Sequence, residues 1–218
     1  AGLGMATTAL TGFPNILKAA NKPIKVGVTT ILSGRVAILG QTVLSGMKVA
    51  VDEINNAGGI DGRKIEVISR DSKAKPDEAA RLTRELVNNE GCEVLLNCEA
   101  SGATFAVNEV ARDIKKFCIH CISETSSLTA DPKNRVPWVF RAARQGIHDA
   151  VGGGIFASEI AKKNNLKKFA TAAPDYAYGR ANTAEFMEYL KLFSPGINVT
   201  TQTWPKIFQP DYTENITA

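Results

Sequence analysis

The sequence is poor in the residues that usually carry catalysis. It has two histidines, His120 in an apolar segment and His148 in a helical one, and neither belongs to a nucleophile motif, so acyl transfer has no footing. There is no P-loop lysine motif and no strand-to-helix glycine fingerprint of a dinucleotide site. The triplet Gly152-Gly153-Gly154 lies inside a helix-like run with no strand immediately before it, which favours close helix packing over a phosphate loop. No apolar run approaches the ~18 residues of a membrane-spanning helix. The net charge of +4 is modest, and the basic residues are scattered. Lys162-Lys163 and Lys167-Lys168 flank a predicted helix end, where cations favour the carbonyl pole, so a nucleic-acid partner is unsupported. With no catalytic pair and no cofactor motif, the chain reads as a non-enzyme that uses no cofactor.

Cysteine is also scarce. The four, Cys92, Cys98, Cys118 and Cys121, bracket two successive predicted strands. Cys118-x-x-Cys121 with His120 between them resembles a metal ligand set, but residues three apart on a strand face opposite ways, and zinc sites usually hold such pairs on turns. Disulfides between neighbouring strands or buried free thiols are the remaining readings. In an oxidising compartment, at least one bridge between the 92/98 pair and the 118/121 pair is expected.

What is present is a regular alternation. The 218 residues, 44% hydrophobic and 22% charged, suffice for one large or two small domains. Residues 1–22 stand apart: small, apolar and uncharged up to Lys18, they read as the remnant of an export signal or a disordered arm. From Lys25 onward, IKVGVTT, KIEVISRD, EVLLNC and FCIHCIS read as strands separated by helices, a β-α-β-α order that predicts a parallel, doubly wound sheet. In AGGIDGRKIEVISRD, Gly58 and Gly59 end the first helix and Asp61-Gly62 turns the chain into the next strand. A second cycle follows: helix IHDAVGGGIFASEIAKK, strand KFATAAP, helix NTAEFMEYLKLF and strand INVTTQTW. The polar, proline-bracketed residues 132–137 predict the link, giving lobe I over residues 23–137 and a partial lobe II over residues 138–218.

Small polar residues gather where strands give way to helices: Ser33-Gly34, Glu99-Ala100-Ser101-Gly102 and Ser123-Glu124-Thr125-Ser126. In an open α/β sheet such loops collect at the carboxyl edge, where ligands bind at the switch point. Free N–H groups at helix starts, supplemented by hydroxyls, suit a carboxylate. Each hydroxyl taken alone could instead cap its own helix.

The segment IKVGVTTILSG…GQTVLSGMKVAVDEINNAGGIDGRKIEVISRDSKAKPDEAARLTRELV resembles the opening of the type I periplasmic solute-binding proteins, of the branched-chain amino acid kind that serves ABC importers. PWVFRAA, APDYAYGR and WPKIFQPDYT resemble later landmarks of that family. The resemblance implies two doubly wound, Rossmann-like α/β lobes closing on a small ligand, with the second lobe incomplete in this chain. It implies a periplasmic monomer that hands a branched-chain or other hydrophobic amino acid, or a related small carboxylate, amide or aromatic acid, to a membrane permease. A ligand-sensing domain of a receptor or regulator with the same fold is the alternative.

Carried over by position, Ser101 matches the serine that holds a ligand carboxylate, with Glu99 and Ala100 in the same loop. Tyr178, followed by Gly179, matches an aromatic from lobe II. Leu39 stands where a tyrosine is common. Glu124, flanked by Ser123 and Thr125, falls on a position usually held by a small hydroxyl residue, where a carboxylate would repel an acidic ligand group.

Overall fold

The computed structural model describes residues 22–207 and 209–217. The segment read as an export remnant lies, Lys22 excepted, outside the described residues. Strands β1 (Ile24–Thr30), β2 (Ile65–Asp71), β3 (Val94–Cys98), β4 (Cys118–His120) and β5 (Val139–Arg141) form one parallel sheet in the order β2-β1-β3-β4-β5. Helices α1 (Ala37–Asn56), α2 (Pro76–Asn88), α3 (Ser101–Ile114) and the short α4 (Ser127–Ala130) connect them. A second unit follows with α5 (Ile147–Lys163), β6 (Lys168–Ala172), α6 (Ala177–Phe193), β7 (Asn198–Thr203) and α7 (Thr213–Thr217). Its β6 and β7 make a separate two-stranded parallel sheet.

Local chemistry accounts for the elements. Pro76 opens α2, where its missing N–H costs nothing, and Asp77 and Glu78 follow at the positive pole. Ala79, Leu82, Thr83 and Leu86 recur at helical spacing and are the residues α2 buries. The return from α1 to β2 needs glycine at position 59: its φ is +83°, and an added Cβ would lie 2.1 Å from the Arg63 carbonyl oxygen. The glycine triplet is also a packing device. A Cβ on Gly154 would meet Tyr189 Cβ at 2.8 Å and the Leu190 nitrogen at 3.0 Å, so its bareness lets α5 and α6 touch.

Each unit has its own core. In the first, Leu86, Cys92, Leu95, Val107, Ala111 and Cys118 pack together between α2, α3 and the sheet. In the second, Ala161, Met187, Leu190 and Ile197 do the same. From β1 the chain moves outward to β2, and from β3 onward it moves the other way. The carboxyl ends of β1 and β3 are therefore the switch point where a crevice opens.

Two expectations need correction. Val139–Arg141 pairs with β4 and completes the first sheet, so the segment crossing from the first unit to the second follows Arg141 and does not lie at residues 132–137, and the division after residue 137 falls too early. The polar, proline-rich stretch is instead an anchored 3-10 turn, Pro132–Asn134: Asp131 Oδ1 accepts from the Lys133 N–H (2.9 Å) and Asn134 Nδ2 donates to the Ser127 carbonyl (2.9 Å). All four cysteines are free thiols, so the expected bridge is not formed. Cys92 and Cys118 are consumed by the core, while Cys98 is wholly buried at the end of β3 and Cys121 Sγ donates to the Ile119 carbonyl (3.5 Å).

Candidate functional site

The loops at the switch point are tied down by side chains of the strands they leave. Thr30 Oγ1 donates to the Cys98 carbonyl (3.0 Å), locking the ends of β1 and β3. Asp71 Oδ1 accepts from the Leu32 and Lys73 N–H groups, each at 2.9 Å, fixing the β1–α1 loop against β2. Its carboxyl stays below the usual range because these bonds and those from Ser33 outweigh a desolvation that acts the other way.

Around this frame lies a cavity of about 220 Å³, lined by Ile31, Leu39, Glu99, Ala100, Ser101, Ile122, Ser123, Glu124, Tyr176 and Tyr178. It is smaller than the roughly 300–1,000 Å³ of drug-sized sites, a scale suited to a small metabolite. Seven of the eight residues singled out in the sequence meet here. Thr125 does not: it is buried, its hydroxyl lies 3.3 Å from that of Ser127, and its carbonyl accepts from Arg141 Nη2 at 2.7 Å. It braces α4 and β5 instead of facing the cavity.

Ser101 is the first residue of α3, and the N-cap position belongs to Ala100, which has no side-chain cap to offer. The first-turn N–H groups of α3 thus have no intrahelical acceptor. Ser101 Oγ accepts a hydrogen bond from Ser123 Oγ at 3.1 Å, and both residues are almost fully buried. Two coupled hydroxyls and a helix start make one polar corner.

Glu99 is wholly buried. Its Oε2 accepts from Ser72 Oγ at 2.8 Å, while Oε1 has no partner. Burial pushes its pKa up to about 7; the Ser72 bond resists this and the Asp71 charge adds to it. Glu124 is held differently. Arg144 Nε pairs with its carboxylate at 2.8 Å and Arg144 Nη1 with Asp149 at 2.6 Å, so the charge expected to repel an acidic ligand carries its own counter-ion.

The second unit contributes the aromatic wall. The rings of Tyr176 and Tyr178 lie 6.0 Å apart between centroids, tilted by 57°. Burial, then the Glu124 and Asp149 carboxylates, push the Tyr178 hydroxyl up to about 12, so it remains a neutral donor. Gly179 presses against the Pro174 carbonyl, where a Cβ would stand 2.1 Å away, and Asn182 Nδ2 donates to the Gly146 carbonyl (3.0 Å). These contacts seat the tyrosines against the crossing segment that carries Arg144.

Ile31, Ile122 and Tyr176 were not singled out in the sequence. Ile31 read there as the first residue of the loop after β1 and Ile122 as an ordinary strand residue; Tyr176 shares the APDYAYGR segment with Tyr178, and that was the available signal. A larger cavity, about 420 Å³, lies away from these loops against β5 and is lined chiefly by apolar groups beside Asn108, His120 and Arg135. His120 there is buried, with Nδ1 3.0 Å from Asn97 Oδ1 and Nε2 3.3 Å from Asn108 Oδ1. Desolvation and the Arg141 charge lower its pKa to about 4, so the ring is neutral and donates through one nitrogen only. Among the described residues, no three His, Cys, Asp or Glu side chains are grouped to hold a metal ion.

Residues 23–217 match the family described as periplasmic binding protein, and the chain belongs to it. Its mixed α/β, parallel-sheet fold matches solved solute-binding proteins of ABC transporters. One, from Rhodopseudomonas palustris BisB5 in complex with 3,4-dihydroxybenzoic acid, superposes with a TM-score of 0.77 at 26% identity, covering 90% of this chain and 50% of that one. Another, the branched-chain amino acid transporter substrate-binding protein LivJ from Streptococcus pneumoniae in complex with isoleucine, gives 0.73 at 28% identity, covering 89% and 53%. Among curated relatives, Leu/Ile/Val-binding protein homolog 3 of Brucella melitensis is 27% identical over 176 residues, covering 81% of this chain and 45% of its own length. The Leu/Ile/Val-binding protein of Citrobacter freundii is 26% identical over 170 residues, covering 78% and 44%. The chain spans less than half the length of these two relatives and about half of the solved chains.

Proposed function

We propose that this chain carries the ligand-capturing cleft of a periplasmic solute-binding protein, a non-catalytic monomer that delivers a small carboxylate-bearing molecule to the permease of an ABC importer. The observation that carries this reading is the cavity itself. A polar corner on the first unit, Ser101 with Ser123 and the start of α3, faces an aromatic wall, Tyr176 with Tyr178, on the second. A carboxylate would seat in the corner, accepting from the Ser101 hydroxyl and the α3 N–H groups. An apolar or aromatic body would lie among Ile31, Leu39, Ile122 and the tyrosine rings. The two solved relatives above hold carboxylic acids with such bodies, one aromatic and one aliphatic. The Arg144 counter-ion makes Glu124 compatible with an acidic ligand.

Calorimetry on the full-length protein tests this with isoleucine and 3,4-dihydroxybenzoate as probes. Ser101→Ala should weaken the preferred probe by roughly ten- to a hundredfold, the cost of a hydrogen bond to a charged group. Tyr178→Phe keeps the ring and should cost less. Equal affinity of Ser101→Ala and wild type would show that the serine does not touch ligand.

A further inference from the structure

Of the residues lining the cavity at the switch point, Glu99 alone has a buried polar atom without a hydrogen-bond partner. Buried carboxyl oxygens are rarely left so, because the missing bond forfeits the hydration the group lost on folding. The orphan is not a consequence of a loosely held side chain. Ser72 Oγ donates to Oε2, and the same Oγ accepts from the Ala74 N–H at 3.1 Å, so the carboxyl is clamped from the β2 end. The Glu99 carbonyl accepts from Thr104 Oγ1 at 3.2 Å, which fixes the backbone as well. Asp71 beside Ser72 is engaged by the backbone of its own loops and has no proton to give.

We propose that Glu99 determines specificity in this cavity: its free Oε1 takes a hydrogen bond from a donor group, a hydroxyl or an ammonium, on a ligand whose carboxylate sits at Ser101 and Ser123. The inference rests on the reading of the cavity as a ligand site and sharpens it, since it requires two polar ends on the ligand, an acid and a donor. The polar corner at Ser101 serves the first and Glu99 the second. The apolar lining of the same cavity, Ile31, Leu39 and Ile122, leaves the body of the ligand without polar demands. A ligand with the carboxylate alone would leave Oε1 unsatisfied in a closed cavity, a penalty that a donor-bearing analogue escapes.

The isosteric variant Glu99→Gln reverses this chemistry without emptying the space. With the glutamine carbonyl turned toward Ser72, the hydrogen bond that Ser72 Oγ donates in the wild type is kept, and its acceptance from the Ala74 N–H is undisturbed. The amide NH2 then occupies the place of Oε1 and presents a donor where the wild type presents an acceptor.

The test is calorimetry at pH 8 on the full-length protein with two probe pairs: 4-hydroxybenzoate against benzoate, and leucine against 4-methylpentanoate. Wild type should prefer the donor-bearing member of at least one pair by about tenfold or more. The pair that discriminates tells whether the donor is a hydroxyl or an ammonium. In Glu99→Gln, with thermal melting confirming a folded protein, that preference should disappear. Binding of both members of each pair with equal affinity by wild type would overturn the role of Glu99 and leave the carboxylate site standing. A preference that survives in Glu99→Gln would place the donor contact elsewhere and likewise overturn it. Failure of all four probes to bind would overturn the carboxylate reading together with this one.

Discussion

Glu99→Gln should stabilise the protein by about 3 kcal/mol more at pH 8 than at pH 4.5. The folded-state pKa of Glu99 is raised from 4.5 to about 7, chiefly by burial. Between those values the folded chain keeps a proton that the unfolded chain has released, so wild-type stability falls as pH rises through this window and levels off above it. Glutamine never ionises and escapes the fall. The total stability curve would hide the effect, because His120 acts in the opposite direction. Its folded-state pKa is lowered from 6.5 to about 4, so its contribution is lost as pH drops through that overlapping range. Urea unfolding of wild type and variant at the two pH values isolates the Glu99 contribution, since His120 cancels in the difference. The same stability difference at both pH values would mean that Glu99 ionises as it would in water.

The second large effect concerns two glycines of α1 that look alike in the sequence. Gly40 is buried under the end of β1, and a Cβ there would stand 2.1 Å from the Ile31 carbonyl oxygen and 2.7 Å from Thr30 Oγ1. Backbone and a short, hydrogen-bonded side chain cannot swing aside, so Gly40→Ala must displace the strand end or the helix. A loss of about 3 kcal/mol is expected, at the upper end of the usual range for overpacking. Because Ile31 lines the cavity, weakened ligand binding should accompany it. Gly46 lies six residues further along the helix, on another face, and its added Cβ would meet nothing within 4 Å. Gly46→Ala should therefore gain up to about 1 kcal/mol from helix propensity alone. Denaturant titration of both variants reads the contrast directly; equal stabilities would remove the close approach from the account.

Periodicity and punctuation made most of the fold legible. The run IHDAVGGGIFASEIAKK is α5 from end to end, and the Pro76-Asp77 start and the Gly58-Gly59 stop fall where their backbone chemistry requires. Residues 132–137 misled because polarity and proline mark a linker and an anchored surface turn alike. What distinguishes them is the partner of Val139–Arg141, a pairing with β4 that local pattern does not contain. The cysteines misled for a related reason: spacing told that their strands are neighbours but not which side chains the core would absorb.

At the site, the hydroxyls after β3 and β4 could be found because strand-end loops converge in this topology. Apolar wall residues such as Ile31 and Ile122 look the same in sequence whether they face a core or a cavity. Arg144, twenty residues beyond Glu124, changes the meaning of that carboxylate, and only the crossing segment folded back onto the loop reveals it. The orphaned oxygen of Glu99 is likewise a fact of three dimensions, since it depends on Ser72 arriving from another strand.

The central claim is that ligand binds between the Ser101–Ser123 corner and the tyrosine wall. A crystal structure of the full-length protein with isoleucine or 3,4-dihydroxybenzoate tests it most directly. The expected result is a ligand carboxylate within hydrogen-bond distance of Ser101 Oγ, with the ligand body against Tyr178. A ligand seated instead in the larger cavity beside β5, among Leu128, Val136 and Phe140, would contradict the account.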